Sequence, residues 1–231
     1  MASLSKPIPC RERAFPPIPV SQVEKDYCME RLPGHVERVG ILGGSFDPIH
    51  LGHLILAEAA LEELSLNRII FIPAQVSPHK QGTPPQVSAA ERLRMVELAI
   101  EGESRFSVDD RELKRGTPSY TIETVRSLLG DYPGVRFLYL IGADNIGGLE
   151  SWYRIDELKN LVDFAVFDRG DGIHCNTKEY QVVHRRIDIS STEIRDRLAK
   201  GLSIQYFLPT PLRDYILTHR LYTSPSLNAQ A

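Results

Sequence analysis

The sequence is short of cysteine. Its three, Cys10, Cys28 and Cys175, form no CxxC pair and leave an odd count, which argues against a disulfide framework and a zinc site and fits a reducing cytoplasm. No apolar run approaches the ~20 residues that span a bilayer, and the first residues lack the apolar stretch of a secretory signal. Neither sign of charge prevails: 27 Lys and Arg against 30 Asp and Glu leave a net charge of −3. That balance offers no bulk attraction for nucleic acid or an anionic membrane. Any phosphate chemistry must therefore rest on a local cluster of positive groups. The chain has a single tryptophan, Trp152.

What remains is ordinary for a globular protein: 231 residues, 42% hydrophobic, enough for one α/β domain with a substantial core. Pro7, Pro9, Pro16, Pro17, Pro19 and Pro33 interrupt the first 35 residues, so residues 1–35 are read as an extended or disordered leader. Met29, just ahead of the first strand, offers an alternative start. Residues 36–222 are read as one domain and 223–231 as a flexible tail. Strands are expected at Val36–Leu42, Arg68–Ile72, Phe106–Val108, Val135–Ile141 and Val162–Phe167, with a strand-like run at Val182–Ile187. Between them fall helices: one with Leu54, Ala57, Leu61 and Leu64 on a face, one capped by Ser88 with Leu93, Val96 and Ile100 on a side, and one over Tyr120–Leu129. Apolar strands alternating with amphipathic helices imply an α/β fold, a doubly wound parallel sheet in three α/β/α layers, with ligands at the carboxyl ends of the strands.

Two segments carry chemistry. The first, Gly43-Gly44-Ser45-Phe46-Asp47-Pro48-Ile49-His50-Leu51-Gly52-His53, lies at a strand-to-helix turn. Two glycines let the backbone approach an anion, and a helix start offers unpaired N–H groups with partial positive charge. His50 and His53, three apart, share a helix face; aimed at one phosphorus they would stabilise the charge of a phosphoryl-type transition state. Gly52 between them removes bulk. The alternatives are a metal site, for which no completing ligand is evident, and polar surface. Gly43-Gly44-Ser45 is not GxGxxG, so a redox dinucleotide is not indicated.

The second, Ile189-Ser190-Ser191-Thr192-Glu193-Ile194-Arg195, pairs Ser190 with Glu193 at capping-box spacing, so a helix should begin there. Its hydroxyls would form a second anion cradle, and Arg195, one turn in, would bring a fork of donors.

The first segment resembles the GG[ST]FDPxHxGH form of the HxGH signature of the nucleotidyltransferase superfamily, typical of bacterial nicotinate-nucleotide adenylyltransferases, and the second resembles that superfamily's ISSTxIR motif. The resemblance runs from about Val39 to Tyr222. It implies a Rossmann-like nucleotidyltransferase fold with a small C-terminal helical part. It implies adenylyl transfer from ATP to a pyridine mononucleotide, nicotinate in preference to nicotinamide, with Mg²⁺ carried mainly by the ATP phosphates. His50, His53 and Arg195 would be catalytic. ATP would meet Gly43, Gly44, Ser45, Phe46, His50, Gly52, His53, Gly142, Asp144, Ile189, Ser190, Ser191 and Arg195. Asp144, after the strongest strand, would bond a ribose hydroxyl or cap a helix. On the acceptor side, Phe71–Lys80 resembles the family's FxPxxxPPHK loop, with Ser77 in place of proline, and Pro118–Thr124 its PSYTIDTL, with Glu123 for aspartate. Lys80, Tyr120, Thr121, Trp152 and Tyr153 would hold the mononucleotide, Trp152 by stacking on the pyridine ring, unless it is a core residue. Loop 74–87 would close over substrate. Nothing in the residues excludes assembly into a homo-oligomer.

Overall fold

The computed structural model describes residues 36–75, 84–116, 119–168 and 180–223. The expectations for residues 1–35, for Lys80 and the centre of loop 74–87, for Pro118 and for the tail beyond residue 223 lie outside these segments, as do all three cysteines.

Six strands, β1 (Arg38–Gly44), β2 (Arg68–Pro73), β3 (Phe106–Val108), β4 (Arg136–Gly142), β5 (Asp163–Asp168) and β6 (Gln181–His184), form one sheet in the order β3-β2-β1-β4-β5-β6. Every pairing is parallel. The strand order reverses at β1, which pairs with β2 on one side and β4 on the other, so the crevice where a doubly wound sheet takes its ligand opens beyond Gly44 and Gly142.

The helices are α1 (Leu51–Glu63), α2 (Ala89–Ala99), α3 (Arg111–Arg115), α4 (Thr121–Asp131), α5 (Ile146–Leu149), α6 (Ile155–Leu161), α7 (Ser191–Ala199) and α8 (Thr210–Thr218), with a 3₁₀ turn at Ala143–Asn145. Strand alternation sends side chains to two cores. On one face Leu42, Phe71, Leu138, Leu140 and Phe167 pack with α1, α2, α7 and α8, and on the other Val39, Ile41, Tyr139, Ile141 and Phe164 pack with α4, α5 and α6. These are the expected three layers. No described helix is long and apolar enough to cross a membrane.

The expected strands are present within two residues at each boundary, except that the run Val182–Ile187 is strand only at Gln181–His184. Ser88 does cap α2, its Oγ accepting from the Glu91 N–H at 3.1 Å. The buried side of α2 differs from expectation. It is Arg92, Met95, Val96 and Ala99, whereas Leu93 and Ile100 are only partly covered. An arginine, assigned to solvent by hydropathy, holds the central position because three backbone carbonyls accept from its terminal nitrogens.

After α7, α1 and α8 the chain passes through a left-handed residue, and the N–H groups of that residue and the next reach back to carbonyls of the last helical turn. After α7 this is Gly201, after α1 it is Ser65, and after α8 it is Arg220 at φ 51°. The Leu221 N–H then reaches Ile216 O at 3.0 Å and the Arg220 N–H reaches Leu217 O at 3.2 Å. Tyr222 follows, also left-handed at φ 62°. A non-glycine residue there costs about 1 kcal/mol or more.

Candidate active site

A cavity of about 600 Å³ opens at the carboxyl edge of β1 and β4. It is lined by the turn from Gly43 to His53, by the head of α7, and by Thr121, Tyr139 and Trp152. The two motif-bearing helix heads are joined directly. The Ser191 hydroxyl donates to Pro48 O at 2.8 Å, and Arg195 Nη1 donates to Asp47 O at 2.6 Å.

At the first head, His50 is the N-cap of α1 in extended conformation and only 5% exposed. Its N–H donates to His53 Nδ1 at 3.2 Å. A nitrogen that accepts carries no proton, so neutral His53 bears its hydrogen on Nε2. The imidazoles lie against each other, centroids 3.8 Å apart and planes tilted by 32°, and Phe46 and His53 meet edge to face at 5.2 Å. Gly52 is required by this packing: a β-carbon there would stand 2.9 Å from His50 Nδ1 and 3.2 Å from an Ile187 methyl. Phe46 makes the turn at φ 46°, and its buried ring holds that strained backbone in place.

Behind the turn lies Arg92, 1% exposed. Its Nη1 donates to Ser45 O and Ala74 O, both at 2.6 Å, and Nη2 to Gln75 O at 3.2 Å. One guanidinium thus clasps the chain just after β1 and just after β2. Burial lowers its pKa, and Asp47 and then Tyr222 oppose that shift.

At the second head, the Ser190 Oγ accepts from the Glu193 N–H at 3.1 Å, the cap expected from the spacing. Ser191 departs from expectation. Its only hydroxyl hydrogen goes to Pro48 O, so at this head an anion is offered the Ser191 backbone N–H rather than its hydroxyl. Arg195 lines the cavity and also bonds Thr192 Oγ1 at 3.2 Å.

All the residues assigned above to ATP, from Gly43 to Arg195, line this cavity, as do Thr121 and Trp152. Asp144 lies within the 3₁₀ turn and caps no helix; its Oδ1 accepts from Asn145 Nδ2 at 3.3 Å. Trp152 is half-buried, lining the cavity while packing edge-on against Tyr139 at 5.8 Å. Tyr120 and Tyr153 are not on the lining. Their rings pack against each other, centroids 4.4 Å apart, with Tyr153 53% exposed.

Glu112 and Tyr139 are among the lining residues to which the sequence reading assigned no role. Glu112, almost fully buried, accepts from Thr124 Oγ1 at 2.8 Å, and burial pushes its carboxyl upward in pKa. Tyr139 sends its hydroxyl across from β4 to Gly43, where a β-carbon would come within 2.6 Å of it. Burial, with Glu112 adding to it, raises this phenol far above its ordinary range. The alternation of β4 marks which side Tyr139 faces, but nothing local places Glu112 beside it.

Comparison with known proteins bears on these walls. The sequence pattern of the cytidylyltransferase-like family matches residues 41–197, which includes both helix heads. A probable nicotinate-nucleotide adenylyltransferase of Exiguobacterium sibiricum is 40% identical over 190 residues, covering 81% of this chain and all of that relative. One from Geobacillus thermodenitrificans is 43% identical over 189 residues, covering 80% of this chain and 86% of its own length. Among solved structures, the Plasmodium falciparum nicotinic acid mononucleotide adenylyltransferase complexed with NaAD superposes with a TM-score of 0.65 at 21% identity, covering 80% of this chain and 97% of that one. At that identity the likeness speaks for the fold.

Proposed function

The chain belongs to the cytidylyltransferase-like family and, within it, to the nicotinate-nucleotide adenylyltransferases, and from that premise we propose that it transfers the adenylyl group of ATP to nicotinate mononucleotide, making deamido-NAD and pyrophosphate. The observation that carries the site assignment is the convergence of the two helix heads on one cavity, tied by Arg195 to Asp47 O and by Ser191 to Pro48 O.

ATP lies with its triphosphate between the Gly43–His53 turn and the α7 head. A phosphate oxygen of the mononucleotide attacks the α-phosphorus in line, the bond from that phosphorus to the bridging oxygen breaks, and pyrophosphate leaves with its electron pair. The nucleophile is already anionic, so no side chain need remove a proton. What the chain supplies is position and positive charge. His53 offers Nε2–H, the His50 ring packed against it braces it, and Arg195 donates to the phosphates that depart. The N–H groups at the starts of α1 and α7 add partial positive charge. Trp152 stacks on the pyridine ring, and Thr121 stands beside it.

Three carboxylates line the cavity, Asp47, Glu112 and Asp144. Among the described residues no group of three or more His, Cys, Asp or Glu could hold a metal, and both Asp47 oxygens already accept hydrogen bonds. That donor set fits Mg²⁺ arriving on the phosphates of ATP, which it would partly neutralise.

The test is pyrophosphate release with ATP and each mononucleotide in turn. Turnover with nicotinate mononucleotide well above that with the nicotinamide form is expected; equal or reversed preference refutes the acceptor assignment, and no release with either refutes the activity.

A further inference from the structure

We propose that Asp47 and Tyr222 are positioning residues: the Tyr222 hydroxyl and the Gln86 N–H occupy the two carboxylate oxygens of Asp47, which keeps that carboxylate from capturing Arg195 and leaves the guanidinium for the triphosphate. The inference rests on the assignment of Arg195 to ATP.

A carboxylate on the wall of a phosphate-binding cavity is an anomaly, since it repels the anion the cavity must hold. Asp47 is such a group, 6% exposed and on the lining. Its Oδ1 accepts from Tyr222 at 2.7 Å and its Oδ2 from the Gln86 N–H at 2.9 Å. Arg195 is next to it, yet Nη1 stays 3.9 Å from Oδ2 and donates to the Asp47 backbone carbonyl at 2.6 Å instead. An unhindered guanidinium–carboxylate pair closes to about 2.7–2.9 Å. The open distance goes with a carboxylate each of whose oxygens is already held by a donor.

The commitment is built from distant parts of the chain. Tyr222 lies 175 positions after Asp47 and Gln86 lies 39 after it. Tyr222 arrives on a turn with two left-handed non-glycine residues, Arg220 and Tyr222 itself, a backbone kept only where the surroundings enforce it. Tyr215 of α8 adds a bond to Glu91 of α2 at 2.7 Å, fixing the helix from which that turn departs. Burial and then the Asp47 charge drive the Tyr222 phenol far up in pKa, so it remains a donor at every working pH.

Losing either donor frees an oxygen to close on Arg195 and draw it from the phosphates. Steady-state kinetics of the full chain test this. Tyr222→Phe and Gln86→Pro, which deletes the other donor, should each raise the KM for ATP about fivefold to tenfold, the size of one hydrogen bond, and leave the KM for the mononucleotide within about twofold. On an Arg195→Lys background, adding Tyr222→Phe should change the KM for ATP less than about twofold, because the group it acts through is gone. Equal rises in both KM values, a lowered thermal midpoint with unchanged KM for ATP, or a full additional factor on the Arg195→Lys background would each overturn the proposal. If Arg195→Lys alone leaves the KM for ATP unchanged, the assignment of Arg195 to the triphosphate fails as well; if it raises that KM and Tyr222→Phe does not, only the positioning role fails.

Discussion

The two ends of the cavity are built by different means. The end bounded by the α1 and α7 heads is made of short continuous segments, each with its turn, cap and functional side chains within about ten residues. The part lined by Thr121 and Trp152 is assembled from the start of α4 and the loop before α6, with Glu112 of α3 also on the lining. A phosphate has the same shape in every nucleotide and is met by a reusable local device. An acceptor base is met by whatever surfaces tertiary packing brings together.

The comparison breaks first if the two ends respond alike to substitution. His53→Ala should lower the rate of ATP-dependent pyrophosphate release by about 10²–10³, the usual loss for a group aimed at developing charge; an unchanged rate would remove the catalytic reading of the α1 head. Gly52→Ala should lower kcat by about tenfold or more, because the new methyl displaces the His50 ring, while a melting curve shows only a modest loss of stability. Trp152→Ala should raise the KM for the mononucleotide about tenfold, in keeping with a stacking contact, and leave the KM for ATP alone. A rise in both would mean that the ends are not separate.

Finer effects sharpen the contrast. Because burial raises the Glu112 pKa above its ordinary 4.5, the folded chain binds this proton more tightly than the unfolded one. Glu112 therefore weakens the fold as pH climbs from about 4.5 through its raised folded value. Glu112→Gln should gain thermal stability over the parent at pH 7–8, and the gain should vanish below pH about 4.5; a gain unchanged across that range would mean that packing, not charge, is responsible. Smallest of all, Tyr153→Ala should alter either KM by less than about twofold, since its ring faces solvent and Tyr120.

The sequence reads well where structure is local. The glycines, the i, i+3 histidines and the Ser190 cap could each be placed from a window of a few residues, and the parallel sheet followed from apolar runs spaced by helices. It reads poorly where a polar residue works inside. Arg92, Met95, Val96 and Ala99 follow the i, i+3, i+4, i+7 pattern, but counting arginine as surface hides it and shifts the face to Leu93. Tyr120 and Tyr153 pair with each other off the cavity's lining, and motif proximity does not say which side of a helix start a ring takes. Tyr222 meets Asp47 across 175 positions, a contact with no trace in either neighbourhood.

Arg92 has a consequence for the cleft as an electrical environment. Parallel strands finish with their carbonyl dipoles pointing, negative end outward, at the edge where an anion must sit. By drawing Ser45 O, Ala74 O and Gln75 O onto itself, Arg92 cancels part of that repulsion from the dry side of the sheet. Its contribution should persist as ionic strength rises, whereas the attraction exerted by Arg195, on the cavity's open lining, fades more with screening, so added salt would strip ATP of its steering before it undid the cleft's welcome.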